Sequence, residues 1–85
     1  HYTENEKEII IEMAIPGVNK NDIKLVFSEG NLKIKYDSKK SETKWTNSFD
    51  ETIEIISDVD ENKIHAKFEN GVIYINIPKK NKVIK

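Results

Sequence analysis

The chain has no cysteine and no arginine, and only two histidines, two prolines, three glycines and one tryptophan. Without cysteine there is no disulfide framework, no thiolate nucleophile and no Cys-based zinc site. His1 and His65 are far apart in sequence and make no metal-ligand spacing. The glycines are isolated, which excludes a glycine-rich phosphate loop. No apolar run exceeds four residues, and runs such as Ile9-Ile10-Ile11 are far short of a membrane span. Neither sign of charge dominates: 14 lysines face 15 acids, for a net charge of −1. No field steers such a chain onto nucleic acid or an anionic membrane, so neither is expected as a partner. The same balance leaves little repulsion against self-association. At 85 residues one core is feasible and a second is not, so a single domain over residues 1–85 is expected. The chain starts at His1 rather than Met and is expected to be a fragment or processed product.

What is abundant is β-branched. Ile and Val supply 19 residues and Thr another 4, against only 4 of Ala and Leu together. Stiff β-branched side chains suit a pleated, half-buried surface. The apolar period is close to two almost throughout. Ile9, Ile11, Met13 and Ile15 share one parity, and Pro16-Gly17 ends that run. Asn19 to Asp22 reads as a polar turn, with a short helix over Asn19 to Phe27 as the alternative. Ile23, Leu25 and Phe27 alternate next, and Leu32, Ile34 and Tyr36 return after the turn residues Ser28 to Asn31. Trp45, Phe49, Ile53 and Ile55 share a parity along one long strand, interrupted by Asn47 and Glu51. Ile64, Ala66 and Phe68 precede Asn70-Gly71, the strongest turn signal, and Val72 to Ile77 is a dense apolar strand. About seven short strands joined by turns predict an all-β, antiparallel, immunoglobulin-like β-sandwich. Its expected core includes Ile11, Met13, Leu32, Ile34, Phe49, Ile53, Val72 and Ile75. A basic tail is expected from about Lys79.

A search for catalytic chemistry returns nothing. His65 sits mid-strand on the outward parity, with no hydroxyl–carboxylate pairing to make a triad. Asp58-Val59-Asp60-Glu61 is acidic but lacks the spacing that wraps oxygens round calcium, and reads as a solvated turn. Tyr36 and Trp45 flank a lysine-bearing loop, a thin basis for stacking on nucleic acid. No catalytic residue, cofactor or metal is expected. The pattern points to binding through surfaces and edges.

The stretch Ile64 to Lys79 resembles the signature of the α-crystallin domain of small heat-shock proteins, carried by Ala66, Asn70, Gly71, Val72, Ile73, Ile75, Ile77, Pro78 and Lys79. Upstream, Met13 to Val18 followed by Lys20 and Asp22-Ile23-Lys24 is similar to the family's aliphatic-Pro-Gly-Val and Asp-Ile-Lys stretch. Two features depart from the family. Glu51 stands where the long strand usually carries arginine, and Ile55-Ile56 replaces an aliphatic-Pro ending.

The resemblance implies an ATP-independent holdase that binds partly unfolded client proteins in the cytoplasm and builds homodimers and higher oligomers. A CS-type β-sandwich co-chaperone or adaptor is the alternative. The implied groove for a client or C-terminal tail is Ile23, Leu25, Phe27, Ile64, Ala66 and Phe68. Its implied ligand motif is Val83-Ile84, near the end of the chain. Burying two Ile side chains offers ~3–6 kcal/mol gross. Ordering the tail takes back much of that, so weak exchange is expected. The plainer alternative is that the six residues are ordinary core and the tail a frayed end. The implied dimer interface is Trp45, Asn47, Phe49 and Glu51, through antiparallel pairing of the long strands. Exchange of the loop after Tyr36 onto a partner's edge near Tyr2 to Glu4 is the alternative.

Overall fold

The computed structural model describes residues 1–37 and 46–80. Seven strands run through them: β1 (Tyr2–Glu4), β2 (Glu8–Ala14), β3 (Ile23–Ser28), β4 (Asn31–Tyr36), β5 (Phe49–Glu54), β6 (His65–Glu69) and β7 (Val72–Pro78). They form a four-stranded sheet in the order β1-β2-β7-β6 and a three-stranded sheet in the order β3-β4-β5. The chain divides accordingly into two compact units, one holding His1–Met13 and Ser57–Lys85, the other Ala14–Ile56.

In the first unit the aliphatic strands are the inner ones. Ile9 and Ile11 of β2 and Ile73, Ile75 and Ile77 of β7 are buried, while β1 and β6 at the margins are short and largely exposed. An inner strand has neighbours on both sides, so its alternate positions can be removed from water completely. Val59 is also buried, and its bridge to Lys79 extends the pairing beyond β7.

In the second unit β4 takes the inner place. Leu32, Ile34 and Tyr36 are buried and their intervening residues are lysines and asparagine. The register sets Ile23, Tyr36 and Phe49 in one row, Leu25, Ile34 and Glu51 in the next, and Phe27, Leu32 and Ile53 in the third. The face is apolar except at Glu51.

The β3–β4 and β6–β7 hairpins both turn through two residues in the left-handed region. Glu29 and Gly30 have φ of 52° and 80°, and Asn70 and Gly71 have 53° and 76°. That twist matches the twist of the flanking strands, and Gly accepts it without a Cβ clash. The segment read as a polar turn is a single 3-10 turn, Lys20–Asp22, whose Asn19 side chain accepts from the Asn21 amide. The helix alternative for Asn19 to Phe27 is therefore set aside, since Ile23–Ser28 is strand.

The long strand expected from Trp45 to Ile55 is shorter: β5 spans Phe49–Glu54, and Asn47 lies outside it and exposed. Of the expected core, Ile11, Leu32, Ile34 and Ile75 are buried. Met13, Phe49, Ile53 and Val72 are only half-buried. Phe49 and Ile53 sit on an outermost strand, and Val72 has the opposite parity to buried Ile73. Ile9, Ile15, Tyr36, Ile55, Val59, Ile73 and Ile77 complete the buried set.

Candidate functional site

Four of the seven strands lie outermost in their sheets: β1, β6, β3 and β5. Among the described residues each leaves one row of backbone donors and acceptors without a strand partner, a template for another chain. Two of these edges carry the apolar stripes read from the sequence. On β3, Ile23, Leu25 and Phe27 share a face and are half-buried, with exposed Lys24, Val26 and Ser28 between them. On β6, Phe68 is half-buried and Ala66 is exposed, and Ile64, just before the strand, is half-buried. Ala66 faces the same way as its register partner Ile75, and Phe68 as Ile73. Part of each stripe is therefore sealed against its own sheet and part remains open to a ligand.

Of the residues expected at a dimer interface, Phe49 and Glu51 are on β5 and face the same way as Tyr36 and Ile34. Phe49 stacks tilted against Tyr36, with ring centroids 5.8 Å apart. Glu51 is exposed although it shares the apolar face. Asn47 is exposed and precedes the strand. Trp45, Val83 and Ile84 lie outside the described residues.

His65 is exposed, and its Nδ1 lies 3.1 Å from the Lys63 carbonyl. Asp60 accepts from the Asn62 amide and pairs with Lys63, so this acid of the connector holds a turn. Among the described residues no group of acids and histidines is placed to hold a metal ion. No helix among them is long and apolar enough to cross a membrane.

Sequence reasoning missed one constellation. The Glu4 carboxylate receives Lys79 Nζ at 2.6 Å, Ser57 Oγ at 2.7 Å and the Tyr2 hydroxyl at 3.2 Å. Donation from Lys79, then from Ser57, lowers the Glu4 pKa. Partial burial, then Glu4 itself, raises that of Tyr2. Lys79 also donates its amide to the Lys7 carbonyl, and Lys80 its amide to that of Asp58, so the chain is tied into the first unit through Lys80. No local spacing announces this arrangement, because its members are far apart in sequence.

The family profile of Hsp20/alpha crystallin matches residues 1–85. The chain is similar to small heat shock protein C4 of Rickettsia felis, 34% identical over 90 residues, covering 92% of this chain and 54% of that protein. It is also similar to heat shock protein 16 of Schizosaccharomyces pombe, 29% identical over 91 residues, covering 93% of this chain and 64% of that one. The chain thus spans about half to two thirds of the length of these relatives. Among solved structures, heat shock protein 16.0 from Schizosaccharomyces pombe superimposes with a TM-score of 0.77 at 26% identity, over 100% of this chain and 94% of that one. A small heat-shock protein from Xylella fastidiosa gives 0.81 at 22% identity, over 100% and 87%. This likeness shows the fold class to be the all-β antiparallel sandwich expected from the strand pattern.

Proposed function

The chain belongs to the Hsp20/alpha crystallin family, and from that premise we propose that it is the client-binding and assembly domain of an ATP-independent holdase. The observation that supports this reading is an apolar stripe at each of two outermost strands: half-buried Ile23, Leu25 and Phe27 on β3, and exposed Ala66 with half-buried Phe68 on β6, preceded by half-buried Ile64. Unfolding proteins expose apolar segments and unpaired strand edges. An edge that offers backbone partners beside an apolar stripe caps both at once, with no catalytic step. The same stripes suit an aliphatic tail such as one carrying Val83 and Ile84. The cytoplasm is the compartment proposed.

Self-association fits the other two outermost strands. Outermost β5, with Phe49 and Glu51, is the proposed strand-pairing site, and β1 is the site of the loop-exchange alternative. The neighbour from Xylella fastidiosa is described as having a distinct high order structure, which supports a larger assembly for this family. The relatives and neighbours are heat-shock proteins, which favours the holdase over a CS-type adaptor.

The test is a heat-labile client warmed without ATP in rising amounts of the 85-residue chain. A holdase lowers light scattering by itself. Scattering unchanged at every ratio, from a chain still folded by circular dichroism, refutes the reading; suppression only with a second chaperone present assigns the adaptor.

A further inference from the structure

Outermost β5 is the acidic edge of its sheet: residues 46–56 hold three acids and no lysine. Asp50 stands across from Lys35 of β4 and is answered there, whereas Glu51 and Glu54 stand across from Ile34 and Asn31. Glu51 shares a face with Leu25 and Ile34, and every other position of that face in the three rows is apolar. Glu54 is on the opposite face, and its nearest lysine by register, Lys33, is one row away. Both acids are exposed, and neither takes part in an ion pair among the described residues. No lysine of the sheet shares the face of Glu51, so a cation reaches it from outside the sheet, and a strand added at the edge of β5 is a direct way to bring one. Pairing β5 with its own copy supplies none, since residues 46–56 offer no lysine in any register.

We propose that the edge of β5 takes residues 82–85 of a second copy as an added strand. They read Lys-Val-Ile-Lys, and the two lysines are three residues apart, as are Glu51 and Glu54. Positions three apart in a strand lie on opposite faces, so the lysines and the acids divide between the two faces in the same way. Laid antiparallel, the segment sets Lys85 across from Glu51, Val83 across from Ile53 and Lys82 across from Glu54. Laid parallel, it sets Lys82 across from Glu51, Ile84 across from Ile53 and Lys85 across from Glu54. Either direction answers both acids and puts an aliphatic side chain beside Ile53. Nowhere else in the chain do two lysines three apart enclose two aliphatic residues, so charge and pattern together single out the occupant.

Such a strand is held by backbone hydrogen bonds and two cross-strand ion pairs rather than by area, since four residues reach only about 13 Å. The contact is therefore weak, salt-sensitive and effective between copies already gathered by other means. This pairing rests on the reading of β5 as a site of self-association and names the strand that meets it. It is separate from the stripes of β3 and β6, so either can fail alone.

The test follows backbone amide shifts of the 85-residue chain as its concentration rises to about 1 mM at low salt. Shifts are expected on residues 49–54 and 82–85, and fade at high salt. The variants are E51K/E54K and K82E/K85E, with circular dichroism to check their fold. Each alone weakens association about tenfold or more. An equimolar mixture of the two restores it to within about threefold, because only unlike copies then carry opposite charges at edge and tail. A mixture that does not recover overturns the proposal. Shifts on β5 that K82E/K85E leaves unchanged also overturn it, while keeping β5 as a pairing site; no shift on β5 at any concentration overturns both. Shifts confined to residues 23–27 and 64–68 put the tail on the apolar stripes instead, and that result overturns it too. So do β5 shifts that K82E/K85E alters but dilution does not, since they assign the tail to its own chain.

Discussion

Lys79 Nζ lies 2.6 Å from Glu4 Oε2, tying the residue after β7 to the edge strand β1. Strand β1 is three residues long and exposed throughout, so it buries little of its own. Its hold on the sheet rests on three paired residues, on the two backbone hydrogen bonds between His1 and Glu12 of β2, and on this carboxylate.

The Glu4 pKa is lowered in the folded chain by Lys79 and Ser57. A lowered folded pKa gives stability that is present above the unfolded carboxylate value and lost as pH falls through the folded one. The group is exposed, so the effect is small and screened by salt. Glu4→Gln is expected to melt slightly lower than the parent at neutral pH. The gap should close as pH falls below the ordinary carboxylate range, and also in high salt. A melting gap that stays constant from neutral to strongly acid pH would refute the tie.

Tyr36 is fully buried, and its hydroxyl has no hydrogen-bond partner among the described residues. A buried polar group left unpaired costs ~1–3 kcal/mol. Tyr36→Phe keeps the ring against Phe49 and removes the orphan oxygen. It should stabilise the chain by about 1 kcal/mol, a rise in Tm of about 4–8 °C for a domain this size. Tyr36→Ala should instead cost ~3–5 kcal/mol through the cavity it leaves. Equal or lower stability of the Phe variant, measured by urea unfolding, would show that the hydroxyl is satisfied.

Local chemistry explains which features could be read in advance. Asn70, Gly71 and Gly30 announce the two hairpins because Asn and Gly tolerate positive φ, which Glu29 then adopts beside Gly30. The buried parities of β4 and β7 follow from strict alternation. Depth of burial is different, because it depends on where a strand stands in its sheet. Phe49 and Ile53 alternate as regularly as Leu32 and Ile34, yet β5 is outermost and they stay half-buried. Ile55 and Ile56 are adjacent and identical, yet Ile55 is 5% exposed and Ile56 89%. Ile55 continues the parity of Phe49 and Ile53 past the end of β5, and Ile56 has the opposite one. The Glu4–Lys79 tie was illegible because it depends on sheet order. The stripes on β3 and β6 were legible as alternating apolar positions.

That isoleucine contrast is itself testable. Ile75, fully buried on β7, should cost ~2–5 kcal/mol on replacement by Ala. Ile56→Ser should stay within about 0.5 kcal/mol of the parent, since the side chain is already in water. Chemical denaturation of both variants checks the pair. A large loss at Ile56 would mean that this side chain is covered in the folded protein in solution.

The last prediction separates client binding from stability. Ala66 is exposed on β6 and faces the same way as Phe68, whereas Lys67 faces the other way and pairs with Glu69 at 3.3 Å. Placing Asp at either position puts the same side chain on the same strand, with a similar cost in strand propensity. Only at residue 66 does the new carboxylate enter the apolar stripe, where an arriving aliphatic side chain would have to desolvate it. Ala66→Asp should therefore lose most of its suppression of client aggregation while remaining folded. Lys67→Asp should keep its activity, despite losing the ion pair with Glu69, because exposed pairs contribute little. Light scattering with a heat-labile client, beside urea unfolding of each variant, makes the comparison. Equal activity in the two variants would remove the β6 stripe from client binding and leave the β3 stripe, Ile23-Leu25-Phe27, to be tested by Leu25→Asp.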